Sequence, residues 1–134
     1  VGARVRAFDP AAELPVALPG CSLFIKIPYT PARRIIDAGL PLALATDFNP
    51  GSAPSGNMNL VNSLACINMG MLPEEVVNAS TLNGAYAMGL AARLGSVTVG
   101  KVANLIITRP AGSLAALPYY FGANPVEKTI VNGR

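Results

Sequence analysis

An apolar run, Pro41-Leu42-Ala43-Leu44-Ala45-Thr46, ends on a carboxylate at Asp47 and opens into Phe48–Gly56, a loop of glycine, proline and small hydroxyl residues. The run carries apolar side chains on both faces, as parallel strands buried in α/β folds do. It therefore predicts a buried strand that delivers Asp47 to its C-terminal tip. In α/β folds that tip is where chemistry is placed, because the loops leaving the strands form the open face of the sheet. An ionised Asp is costly to bury without a cation or hydrogen-bond donors to hold it.

The segments around this strand extend the pattern. Ala17–Ile27 reads as an earlier strand, with β-prone residues at Leu23–Ile27 and a turn at Pro19-Gly20. Thr30 and Pro31 suit a helix start, Ile35 and Ile36 its inner face, and Gly39 its left-handed end. Leu23 to Asp47 thus reads as one βαβ unit with parallel strands and a right-handed crossover. Met58–Met69 has helical spacing, with Leu60, Leu64 and Ile67 or Met71 on one side. Pro73-Glu74-Glu75 opens another helix that stops near Ser80, and Thr81 restarts one that ends near Gly95.

Beyond Gly95 the period changes. Ser96–Lys101 and Val126–Asn132 alternate like short strands, Ala103–Thr108 is a clear one, and Leu117–Phe121 is an apolar loop. Strands that follow one another without helices are not parallel barrel strands, so they predict a small β layer added to the α/β part. Residues 1–16 are weakly patterned and suggest a loop or a single loose turn.

Composition bounds the partners. At 134 residues the chain is at most one domain, 51% hydrophobic and only 13% charged. So few charges cover little surface, which points to surface meant to lie against more protein. The ten Lys and Arg are scattered, and the pair Arg33-Arg34 reads as solvated helix charge, so no nucleic-acid stripe is present. Apolar stretches are all broken by Pro or Gly, which leaves no membrane span, and no apolar leader reads as a signal peptide. Cys21 and Cys66 form no CxxC motif and read as free, buried thiols in a reducing compartment. The chain starts at Val1 without Met, which suggests an internal starting point.

Two readings of Asp47 stay open at this level. It caps the turn Asn49-Pro50-Gly51, or it ligates a metal ion. A catalytic metal usually takes about three protein ligands, and this chain has no histidine. The loop Asn49–Gly56 could also aim several backbone N–H groups at an anion or polar ligand, or be plain surface.

The strings ALATDFNPGSAPSGNMNL (43–60), PEEVVNASTLNGAYAMGL (73–90), GSVTVGKVANLIITRP (95–110) and YFGANPVEKTIVNGR (120–134) resemble the imidazolonepropionase family of the amidohydrolase superfamily. The likeness covers about residues 17–134 and matches the C-terminal third of that family. The DFNPGS string (47–52) is the family-specific part; the others are shared across the superfamily. The resemblance implies an α/β fold: the C-terminal part of a (β/α)8 barrel over residues 1–94, and strands of a small composite β-sandwich over 95–134.

It further implies hydrolysis of the cyclic amide of 4-imidazolone-5-propanoate to N-formimidoyl-L-glutamate, in histidine breakdown, with a single zinc or iron ion. Asp47 would ligate the metal and act as general base, and Asn49, Gly51 and Ser52 would contact substrate. The parent protein would be a cytoplasmic homodimer. The family's other metal ligands are histidines that this chain lacks. The chain is therefore expected to need an N-terminal part, and alone to bind no metal tightly, to turn over no substrate and to expose sticky strand edges. Two alternatives are another cyclic-amide hydrolase of the superfamily and a non-catalytic binding module.

Overall fold

The computed structural model describes residues 14–134, so most of the unpatterned N-terminal segment, residues 1–13, lies outside the described residues. At its centre is a parallel pair of short strands, β1 (Val16–Ala17) and β2 (Ala43–Leu44), in the register Val16↔Ala43 and Ala17↔Leu44. The Ala43 N–H donates to the Pro15 carbonyl at 2.9 Å, and the Ala45 N–H to the Ala17 carbonyl at 3.2 Å. Ala17, Ala43 and Leu44 are buried. β2 falls inside the apolar run expected to be a strand.

The first strand of the expected βαβ unit is a different segment. Leu23–Ile27 forms no strand; α1 (Pro19–Ile25) is a helix and ends on Lys26 in the left-handed region. Pro19-Gly20 suits a turn, but Pro at the first helical position starts a helix equally well, because its missing N–H has no helical partner there. A short apolar run does not by itself separate strand from buried helix. Here Pro19 and Ser22 are buried while Leu23, Phe24 and Ile25 are exposed. The strand partner of β2 is supplied instead by the two residues just upstream. α2 (Ala32–Asp37) then leads back to β2, with Gly39 left-handed after its end as expected. Its Ncap is Pro31, not Thr30, and no side chain caps it.

Three helices follow the loop after β2. α3 (Met58–Met69) is capped by Asn57, whose side-chain oxygen accepts the Asn59 and Leu60 N–H groups at 3.0 and 3.2 Å. Val61, Leu64, Ala65 and Met69 face inward, whereas Ile67 is exposed. α4 (Pro73–Ser80) carries Pro73 and Glu74-Glu75 in its first turn, and the Glu75 carboxylate accepts the Leu72 N–H at 2.8 Å. α5 (Leu82–Ala87) is shorter than expected and ends seven residues before Leu94, in turns rather than helix. Ala17, Ala32, Leu42, Leu44, Val61, Val76 and Ala79 belong to one buried cluster that joins β2 to the helices.

The C-terminal segment pairs β3 (Leu105–Thr108) with β4 (Val126–Ile130), antiparallel, in the register Leu105↔Ile130 with an irregularity at Ile107/Thr108. Ser96–Lys101 is turn rather than strand: Lys101 Nζ donates to the Ala91 and Leu94 carbonyls at 2.6 and 2.9 Å, which folds the segment back. The expected apolar loop at Leu117–Phe121 contains a helical turn, α6 (Ala116–Tyr119), packed on α3.

Candidate functional site

Asp47 lies three residues past β2, half-buried, with φ +54°. A left-handed backbone is uncommon for a residue with a side chain, though Asp tolerates it better than most. Such conformations persist where the surroundings over-determine them and cluster at functional sites. The surroundings here are the loop itself. Asn49 Nδ2 donates to the Asp47 backbone carbonyl at 2.6 Å and to Ser52 Oγ at 3.0 Å. Asn49 Oδ1 accepts the Gly51 and Ser52 N–H groups, both at 2.8 Å. The Asn49 N–H in turn donates to the Ala53 carbonyl at 3.1 Å.

Ser52 Oγ stands 3.3 Å from Asp47 Oδ2 and 3.2 Å from Asn49 Oδ1. A hydroxyl has one proton, and Asn49 Oδ1 already takes two N–H groups. The carboxylate is the stronger acceptor, so we assign the proton to Asp47. Among the described residues the other carboxylate oxygen, Oδ1, receives no hydrogen bond. The structure thus brings Asp47, Asn49, Gly51 and Ser52 together in one loop at the end of a parallel strand.

The turn Asn49-Pro50-Gly51 is capped by Asn49, not by Asp47. Several N–H groups that an anion cradle would use are already paired: those of Gly51 and Ser52 with Asn49, that of Ser55 with the Ala53 carbonyl, and those of Asn59 and Leu60 with Asn57. Donors that are already paired inside the loop do not converge on a ligand.

The strand that presents Asp47 is anchored from outside its own pairing. Asn83 Nδ2, on α5, donates to the Leu42 carbonyl at 2.8 Å. Arg33 is not the solvated charge read from sequence. Its guanidinium grips Glu75 with both prongs, at 2.8 and 2.9 Å, and also holds Asp37 at 2.8 Å, while Arg34 stays exposed. The pair with Glu75 raises the Arg33 pKa above its ordinary value, and the hydrogen bond from Arg33 lowers that of Glu75. Neither Asn83 nor the Arg33–Glu75 pair was legible in sequence, since each joins residues about forty positions apart.

Cys66 and Cys21 are free and half-buried rather than fully buried. Burial, with Glu74 and Glu75 nearby, pushes the Cys66 thiol pKa up. Cys66 lines an open apolar cleft of about 630 Å³ with Ile67, Met71, Pro118, Tyr119 and Phe121. No residue of the Asp47 loop lines it.

The site has a donor that fits a metal. Asp47 offers a half-buried carboxylate with one oxygen held by Ser52 and the other unengaged among the described residues. The same residues contain no group of three His, Cys, Asp or Glu that could hold a metal ion. Asp47 fits as one ligand of a site whose other ligands these residues do not supply.

The amidohydrolase family model matches residues 22–134. The chain belongs to the amidohydrolase family. The imidazolonepropionase of Christiangramia forsetii is 64% identical over 121 residues, which cover 90% of this chain and 29% of that protein. That of Flavobacterium johnsoniae is 60% identical over 130 residues, covering 97% of this chain and 32% of that protein. The chain thus spans about three tenths of the length of the curated relatives it matches. Among solved structures, an adenosine deaminase from Xanthomonas campestris with bound zinc superposes with a TM-score of 0.81 at 27% identity, over 90% of this chain and 31% of that one. The amidohydrolase chain therefore has the α/β metal-dependent hydrolase fold of its neighbours, as the family resemblance implied. Among its described residues no helix is long and apolar enough to cross a membrane.

Proposed function

We propose that this amidohydrolase chain works as the C-terminal part of an imidazolonepropionase of its relatives' length. That enzyme hydrolyses the cyclic amide of 4-imidazolone-5-propanoate to N-formimidoyl-L-glutamate in L-histidine degradation. The observation that carries the reading is the conjunction of 64% identity to a protein of that name with an Asp47 loop organised at a strand end.

In this reading residues 1–94 belong to a (β/α)8 barrel that the missing N-terminal part closes, and 95–134 give strands to a small β-sandwich. Exposed Phe24, Phe48, Tyr119 and Phe121 then lie against the rest of the protein or its homodimer partner. The cell compartment is the cytoplasm.

A zinc or iron ion, when bound, supplies a polarised water that is nucleophilic near neutral pH. Asp47 is the ligand that the described residues give it. The Asp47 carboxylate also takes the proton of the attacking water, and can return it to the ring nitrogen that leaves when the amide C–N bond breaks. The Ser52 hydroxyl holds one carboxylate oxygen, so the other is left to face the metal. Asn49, Gly51 and Ser52 form the wall that the substrate lies against.

The test is turnover by the full-length hydrolase that carries this chain, followed as loss of 4-imidazolone-5-propanoate and appearance of N-formimidoyl-L-glutamate. Hydrolysis is expected. Failure on this substrate with turnover of a different cyclic amide would overturn the assignment.

A further inference from the structure

We propose that Asn83 is a positioning residue for Asp47: from the edge opposite β1, it fixes the height of the strand that carries the carboxylate. The inference rests on the reading of Asp47 as a metal ligand. The peptide unit between Leu42 and Ala43 is held from two sides. Its N–H, on Ala43, donates to the Pro15 carbonyl at 2.9 Å. A trans peptide points its C=O the opposite way, and on that side the Leu42 carbonyl accepts Asn83 Nδ2 at 2.8 Å. Asn83 stands on α5, 41 residues along the chain from Leu42. One side chain therefore ties the Asp47 strand to a separate helix.

That tie matters because β2 has little else to fix it along its own axis. It is two residues long, and its pairing with the equally short β1 uses bonds along one edge. The Ala45 N–H bond to Ala17 repeats the Ala43 bond to Pro15 two residues on, so the ladder specifies a period. The Asn83 bond specifies one carbonyl. Leu42 is buried, so without Asn83 its carbonyl loses a partner that is costly to go without. A parallel strand rises about 3.3 Å per residue, so a slip of a third of a residue at Leu42 moves the strand end at Asp47 by about 1 Å. A misplacement of about 1 Å caused far from the chemistry can cost about 10²-fold in rate.

Two substitutions remove the donor. Asn83→Ala suits a helix better than Asn does, so α5 is kept. Asn83→Asp keeps the size and sets an oxygen against the Leu42 carbonyl. Each is made in the full-length hydrolase, and zinc affinity is measured by competition with a chelator, beside kcat, KM and Tm, at a temperature where the protein is folded. Both variants are expected to lose about tenfold or more in zinc affinity and about 10–100-fold in kcat, with KM within about twofold. Parental zinc affinity in folded Asn83→Ala overturns the proposal, whatever the change in Tm, and makes Asn83 a purely structural tie. If Asn83→Asp fails to fold, Asn83→Ala decides alone.

Asp47→Ala is measured alongside. If that variant keeps zinc at wild-type affinity, the metal-ligand reading of Asp47 falls and this proposal with it. If Asp47→Ala loses zinc while Asn83→Ala keeps it, only the positioning role fails.

Discussion

The side-chain amide of Asn49 donates to the backbone carbonyl of Asp47 at 2.6 Å, two residues back along a chain that turns left-handed at Asp47. That bond closes the loop on the residue it has to aim. It also explains how a segment with two prolines and two glycines between positions 49 and 56 keeps a defined shape. Each free N–H that the turn creates at Gly51 and Ser52 is returned to Asn49, so the loop carries its own hydrogen bonding and leaves the Asp47 carboxylate to other work.

The chain alone is expected to hold no metal tightly. Its described residues gather one carboxylate at the strand end and no cluster of three possible ligands. Equilibrium dialysis of the 134-residue chain against zinc checks this. Stoichiometric retention at micromolar free zinc is the outcome that refutes it.

Gly95 is expected to tolerate no side chain. Its φ is +90°, and a Cβ there would stand 2.8 Å from Ala85 Cβ and 3.0 Å from the Thr81 carbonyl oxygen. The clash is with backbone and with a buried residue, so neither yields cheaply. Gly95→Ala should destabilise by about 2–4 kcal/mol, from the left-handed backbone and overpacking together, seen as a lower Tm. A change below about 0.5 kcal/mol would mean that the turn relaxes freely, since such values are ordinary for surface substitutions.

The Arg33–Glu75 pair gives stability a pH dependence. Glu75 is held below its ordinary value by Arg33, so the folded protein releases its proton more readily than the unfolded chain does. The contribution is therefore fully present above the ordinary carboxylate range and is lost as pH falls through the lower folded value. The pair is partly exposed, with Arg33 at 38% and Glu75 at 23%, so solvent screening keeps its contribution small. Glu75→Gln should lower Tm at pH 7 and flatten its fall as pH drops below the ordinary carboxylate range. An unchanged acid limb is the contrary result.

Asn57→Ala should cost about 1 kcal/mol, because the first turn of α3 loses the acceptor for the Asn59 and Leu60 N–H groups. Asn57→Asp, which keeps an acceptor at the positive end of the helix, should recover most of it. Denaturant unfolding of the two variants beside the parent decides whether the cap or the side chain's bulk matters.

Cys66 should react slowly with alkylating reagents near pH 7, because burial and the two nearby glutamates keep its thiol protonated. Its rate is expected below that of a free thiol and to rise with pH as the thiolate forms. Rapid labelling at pH 7 would show that the side chain is more open than the packing indicates.

What could be read in the sequence was local. Asp47 at a strand end, the helix from Met58, the Pro-Glu-Glu start of α4 and the strands at 105–108 and 126–130 each carry their signal within a few residues. The helix at Pro19–Ile25 was missed because Leu23, Phe24 and Ile25 favour strand, while Pro19 and the fit of Ser22 against the core decided for helix. The turn at Asn49 is visible in sequence, but which residue caps it is not: Asp47 and Asn49 both suit the role, and the Gly51 and Ser52 N–H groups on Asn49 Oδ1 settle it. Asn83 on the Leu42 carbonyl and Arg33 on Glu75 depend on how separate helices come together, which no local pattern records.

Metal content and turnover of the full-length hydrolase with Asp47→Ala test the reading of the site most directly. The parent should carry close to stoichiometric zinc or iron, and the variant should lose it, with turnover of 4-imidazolone-5-propanoate down by about 10²–10⁴-fold, the usual worth of a general base. A folded variant that keeps both its metal and its rate would show that Asp47 is a structural residue of the loop and that the chemistry lies elsewhere.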